Sequence, residues 1–156
     1  MKNKKCPDGS GQKLPYIPQG KEIFFVPETD RFIKEAQRVA QTLSRDQGHP
    51  TGAVIVLKGE IIGRGANGSD YHEKNGCERK RKKIPTGEKY ELCPGCDPKN
   101  HAEQTALRSC AIPPVGGDLY LWGHWWCCES CWDAIIKDRI QNVYLVENAE
   151  GKFKKK

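Results

Sequence analysis

No run of apolar residues in this sequence approaches the length needed to cross a bilayer, which excludes a transmembrane helix. No apolar segment follows the basic start Met1-Lys2-Asn3-Lys4-Lys5, so no secretory leader is expected and the cytoplasm is the default location. No internal repeat is visible. No recognisable RNA-binding module is present either, which ranks a polynucleotide partner below a small molecule. With 156 residues, 37% hydrophobic and 29% charged, the chain reads as one soluble domain over 1–156, large enough to bury a core without staples.

What the sequence does have is cysteine. Eight are present, at 6, 77, 93, 96, 110, 127, 128 and 131. Without an export signal, metal ligation is the expected use rather than a disulfide framework. The formal charge of +6 favours an anionic partner such as a nucleotide phosphate. Much of that excess is terminal, in Lys2, Lys4 and Lys5 and in a basic tail over 150–156.

Residues 1–27 carry four prolines and read as an irregular lead-in. Thr29 or Asp30 can cap a helix on which Phe32, Ala36, Val39, Ala40 and Leu43 recur at helical spacing, ending near Pro50. Residues 52–65 read as a hairpin turning at Lys58-Gly59, closed off by Asn67-Gly68. The polar stretch 68–100 is too long to be structureless in a compact domain, and its cysteines suggest a metal tie. A helix over 101–111, a strand over 118–122, a helix over 128–139 and a strand over 142–146 complete an α/β layer structure with a mixed sheet.

Two short motifs carry the chemistry. His101-Ala102-Glu103 and Cys128-Glu129-Ser130-Cys131 each open a predicted helix, and Cys128 and Cys131 share a helix face. One histidine and two thiolates leave the fourth position of a tetrahedral zinc open, as catalytic sites do. The helix N-termini add partial positive charge that favours thiolates. Glu103 is surplus to ligation and is the candidate catalytic proton carrier. Cys127 and Cys131 are also spaced for one helix face, so the register of the cysteine ligands has two readings, with Cys128 preferred.

From residue 52 to 146 the order of these motifs resembles the zinc-dependent cytidine and deoxycytidylate deaminase family, over roughly two thirds of the chain. The resemblance rests on the Gly52 strand, Ile61-Ile62-Gly63 followed by Asn67, His101-Ala102-Glu103, and the Cys128/Cys131 pair. It implies a three-layer α/β/α sandwich around a mixed five-stranded sheet. It also implies hydrolytic removal of an amine from a cytosine nucleotide or nucleoside, with dCMP the first choice. Asn67 would hold the sugar, and the backbone at Ala102 and Cys128 would orient base and water. Relatives of this kind form homo-oligomers. Two positions depart from the family pattern: Cys127 stands where proline is usual, and Thr105 where deoxycytidylate deaminases commonly have asparagine.

Cys93-Pro94-Gly95-Cys96 has the knuckle form of a structural zinc site. With Cys77 and His72 it gives a Cys3His set, Cys6 or Asp70 being alternative fourth ligands, and a second zinc here fits the deoxycytidylate branch. In the basic run 78–83, Arg79 or Arg81 is a candidate phosphate contact. Trp126 is a candidate surface for stacking a base, alongside Trp125 and His124, with core burial the competing reading for the tryptophans. Other readings are deamination of guanine, tRNA adenine or a modified pyrimidine, and a zinc-stabilised nucleic-acid-binding protein with both C-x-x-C pairs structural.

Overall fold

The structure, a computed structural model, describes residues 16–85 and 88–154. Cys6 and the lysines at 2, 4, 5, 155 and 156 lie outside the described residues. In chain order the elements are β1 (Ile23–Val26), α1 (Arg31–Leu43), β2 (Gly52–Leu57), β3 (Glu60–Ala66), α2 (Asp70–Asn75) and α3 (Glu78–Arg81). After three short 3-10 turns between Tyr90 and Asn100 come α4 (Ala102–Arg108), β4 (Asp118–Trp122), α5 (Glu129–Lys137), β5 (Asn142–Val146) and α6 (Ala149–Phe153).

The strands form one mixed sheet in the order β1-β5-β4-β2-β3. β1, β5 and β4 are parallel, whereas β2 is antiparallel to both β4 and β3. The β2–β3 turn puts Lys58 and Gly59 at φ 52° and 81°, the positive-φ pair that a two-residue hairpin needs. Asp30 caps α1, its carboxylate accepting from Phe32 N at 2.9 Å and Ile33 N at 3.0 Å. The buried stripe of α1 is Ile33, Ala36, Val39 and Ala40, while Leu43 is exposed.

Two glycines set the layers. Gly52 pairs with Ala66 and the adjacent Ala53 with Gly65, and adjacent pairs point to opposite faces of a sheet. A Cβ on Gly52 would lie 2.3 Å from Ala36 O of α1, and one on Gly65 would lie 2.2 Å from Ala106 N of α4. The two helices therefore press on opposite faces, each at a point where only a glycine fits. α5 packs beside α4, giving the α/β/α sandwich. α5 also connects parallel strands β4 and β5, which puts its N-terminus at the C-terminal end of β4, where α/β folds place their sites.

One expectation is corrected. The lead-in is not irregular throughout, because Ile23–Val26 pairs in parallel with β5 as the fifth strand. The basic tail is part helix: Phe153 of α6 packs its ring edge-on against Trp122 at 5.1 Å. The described residues of the stretch 68–100 include short helical turns. Among the described residues no helix is long and apolar enough to cross a membrane.

Candidate functional site

His101 and Cys128 are the N-cap residues of α4 and α5, so both helices begin at the same place. His101 Nδ1 lies 3.6 Å from Cys128 Sγ and 3.5 Å from Cys131 Sγ. Zinc at its usual distances from nitrogen and sulfur separates two tetrahedral ligand atoms by about 3.6 Å, so this triangle fits the ion. Burial pushes His101 down to about 4, which keeps the imidazole neutral and able to ligate. Burial pushes the Cys131 thiol up to about 12, so a cation is needed to hold it as thiolate. His101 Nε2 faces Cys96 O at 3.2 Å, which leaves Nδ1 for the metal.

Glu103 is 4% exposed and stands outside the group of converging ligand atoms. Burial raises its carboxyl above the usual carboxylate range, opposed by hydrogen bonds from the Cys127 and Cys131 thiols. Cys127 is buried and turned toward Glu103; it is not in the ligand group, which contains Cys128 and Cys131. Gln104 Nε2 donates to Ser130 Oγ at 3.0 Å and lies 3.7 Å from Cys131 Sγ, tying α4 to α5 beside the sulfur.

A second group brings together His72, Cys77, Cys93 and Cys96, with all four ligand atoms within 4.8 Å of one another. His72 Nε2 is 3.4 Å from Cys93 Sγ and 3.7 Å from Cys96 Sγ, and Cys77 and Cys96 Sγ are 3.6 Å apart. These four donors close a tetrahedron, as structural zinc sites do. Gly95 is required there, since its Cβ would meet the His72 ring at 2.7 Å. Asp70 is not in the group and instead pairs with Arg45.

Both groups border one cavity of about 800 Å³, which Asn67, Ala102, Glu103 and His124 also line. Asn67 ties the wall together: its Oδ1 accepts from Ser44 Oγ at 2.5 Å and Thr51 N at 2.9 Å, while Nδ2 donates to His49 O at 2.9 Å. One Nδ2 hydrogen is left over. Ala102 is fully buried, and Trp126, 1% exposed, is core as well as cavity wall.

The arginines are not spare cations. Arg79 donates to Glu88 O, Pro85 O and Cys96 Sγ and stacks over Tyr90 at 4.7 Å; Arg81 pairs with Glu78 and Asn75 O and does not line the cavity. The cationic lining is completed by Lys80, Lys83 and Lys154, the last positioned over the Trp125 ring at 5.1 Å and paired with Glu150 at 3.2 Å on the exposed surface. Sequence reasoning passed over Gln104, Tyr90, whose ring stands edge-on to His101 at 4.9 Å, and Lys154. Only Gln104 carried a signal, being next to the motif Glu103.

A family model described as the cytidine and deoxycytidylate deaminase zinc-binding region matches residues 27–147. A dCMP deaminase from the cyanophage S-TIM5, solved in complex with dCMP and dUMP, is similar at 21% identity. That match covers 78% of this chain and 84% of the phage chain, with a TM-score of 0.50. A Thermotoga maritima diaminohydroxyphosphoribosylaminopyrimidine deaminase/5-amino-6-(5-phosphoribosylamino)uracil reductase matches at 22% identity, over 73% of this chain and 28% of its own, with a TM-score of 0.45. The comparison with curated proteins gives no match.

Proposed function

The chain belongs to the cytidine and deoxycytidylate deaminase family, and from that premise we propose that it hydrolytically deaminates a cytosine nucleotide, dCMP before others. The observation that carries the reading is the contrast between the two ligand groups. The one with His72 has four donors and no use for more, whereas the one with His101 has three, with the buried carboxyl of Glu103 beside it and outside the ligand set. A structural site has no need of such a carboxyl, and a hydrolytic one does.

His101, Cys128 and Cys131 would hold a zinc ion. When bound, the zinc supplies Lewis acidity that makes water a nucleophile near neutral pH. Glu103 takes one proton from the attacking water and gives it to the ring nitrogen next to the amine-bearing carbon. It then takes the second from the hydroxyl now on that carbon and gives it to the departing amino group, so that the carbonyl forms as the C–N bond breaks and ammonia leaves. Burial raises its carboxyl, the direction that suits a group which both takes and gives a proton at neutral pH. Asn67 has one amide hydrogen left to offer a sugar oxygen. The buried walls given by Trp126 and Ala102 exclude water from the ring.

A phosphorylated substrate is supported by Lys80, Lys83 and Lys154 on the cavity lining, in place of Arg79 and Arg81. The preference for dCMP also draws on the phage relative, whose structure holds dCMP and dUMP. The test is ammonia release from cytosine, cytidine, deoxycytidine, CMP, dCMP, guanine and adenine compounds, with and without chelator. Chelator-sensitive release from dCMP is expected, and no release from any cytosine compound would overturn the reading.

A further inference from the structure

His124 sits in the connection between β4 and α5, four residues before Cys128, and lines the same cavity as His101 and Glu103. The chain reaches it through Gly123 at φ 101°, where a Cβ would fall 2.3 Å from Pro50 O. That tight approach holds the backbone just before His124 against Pro50 and Thr51.

Its Nδ1 accepts from two successive backbone amides, Trp125 N at 3.0 Å and Trp126 N at 3.3 Å. Two donors aimed at one ring nitrogen forbid a hydrogen on it. The proton must therefore be on Nε2, and the ring is a neutral imidazole held as a donor at that atom. Burial works in the same direction, pushing His124 down to about 3. Nε2 has no hydrogen-bond partner among the described residues, and His124 belongs to neither ligand group. The neighbouring rings are His49 at 5.6 Å and Trp126 at 5.9 Å, both met edge-on, and Trp125, stacked at 6.5 Å.

We propose that His124 is a specificity residue whose Nε2–H donates to the ring carbonyl oxygen of the base, selecting an oxo-bearing pyrimidine. An N–H that carries no charge suits a neutral oxygen acceptor, while the lysines on the lining suit phosphate. A site built to donate one hydrogen bond rejects a ring that lacks its acceptor. The inference rests on the cavity being the base-binding site of a cytosine deaminase.

His124→Asn separates the two duties of the side chain, because an asparagine Oδ1 can accept from Trp125 N and Trp126 N yet places no donor where Nε2 stood. Zinc content and Tm are expected to stay at the wild-type level, with KM for dCMP raised roughly tenfold and kcat less affected. Wild type is expected to bind the 2-thio analogue of dCMP, a poorer acceptor, several-fold more weakly than dCMP, and His124→Asn to lose that preference. An unchanged KM, an equal loss for the oxo and thio rings, or a defect confined to phosphorylated substrates would overturn the assignment. If the variant does not fold, 15N spectra of the wild type still decide: Nε2 is expected to be protonated and to shift on adding dUMP, and a hydrogen on Nδ1 or an unmoved Nε2 sinks the proposal. Failure of wild type to release ammonia from any cytosine compound would sink the deaminase reading itself, and it is seen before any variant is made.

Discussion

The carbonyl oxygen of Cys96 lies 3.2 Å from Nε2 of His101, so a residue of the four-ligand group orients the histidine of the three-ligand group. Cys96 Sγ lies against His72 while its backbone holds His101, which makes the two centres one mechanical unit. Cys93→Ser, which removes a donor only from the distant group, is therefore expected to weaken zinc at the near one by about 10- to 100-fold. Chelator competition on the purified variant measures this, and unaltered retention of the near zinc refutes the coupling.

Glu103→Gln keeps the size of the side chain and removes its basicity. Turnover is expected to fall by at least about 100-fold with zinc per chain unchanged. Parallel ammonia and metal assays check both halves, and activity within a few-fold of wild type contradicts the proton-carrying role.

Gly65→Ala places a methyl group 2.2 Å from Ala106 N, where the backbone of α4 cannot yield without leaving the sheet. A destabilisation of about 1–3 kcal/mol or more is expected from such overpacking. Gly116→Ala is the strain control, since Gly116 has positive φ and nothing within 4 Å of the added Cβ. Thermal melts of the two variants distinguish packing from backbone strain, and equal losses would remove the packing account.

Glu35 joins α1 to the edge strand β3, accepting from Arg38 Nε at 2.9 Å and Arg64 Nε at 2.7 Å. The Arg38 guanidinium, ahead of Arg64, holds its carboxyl down at about 2 against the opposing effect of burial. A depressed carboxylate stabilises the fold above its unfolded pKa, near 4.5, and loses that contribution as pH falls toward 2. Both arginine side chains are about half exposed, at 56% and 46%, so solvent screening limits the gain to about 1 kcal/mol. The stability gap between wild type and Glu35→Gln is expected at pH 7 and to close between about pH 5 and pH 2. A gap that persists to pH 2 in denaturant titrations contradicts it.

The three-ligand centre was legible because its donors sit at two helix starts and are spaced by helical geometry, as with Cys128 and Cys131. Helix α1 and the β2–β3 hairpin were legible for the same reason, a local period. β1 was not, since Ile-Phe-Phe-Val is short, lacks alternation, and becomes a strand only by pairing with residues 143–146. The engagement of the arginines was not legible, because a run of charge in 78–83 does not reveal that the loop's own carbonyls and Glu78 use Arg79 and Arg81. The place of His124 beside the site was readable, but its role as a donor was not, because its donor atom is set by the two amides that follow it in the chain.

The pairing of Ile23 with Val143 joins the first described strand to the last, with both ligand groups lying between them in the chain. Closing so long a loop is entropically slow, whereas the β2–β3 hairpin and the knuckle at Cys93–Cys96 need only near neighbours. The contact between the two ends of the domain is thus the one with the greatest loop-closure cost, and it acts as a clasp around the segments that carry the chemistry.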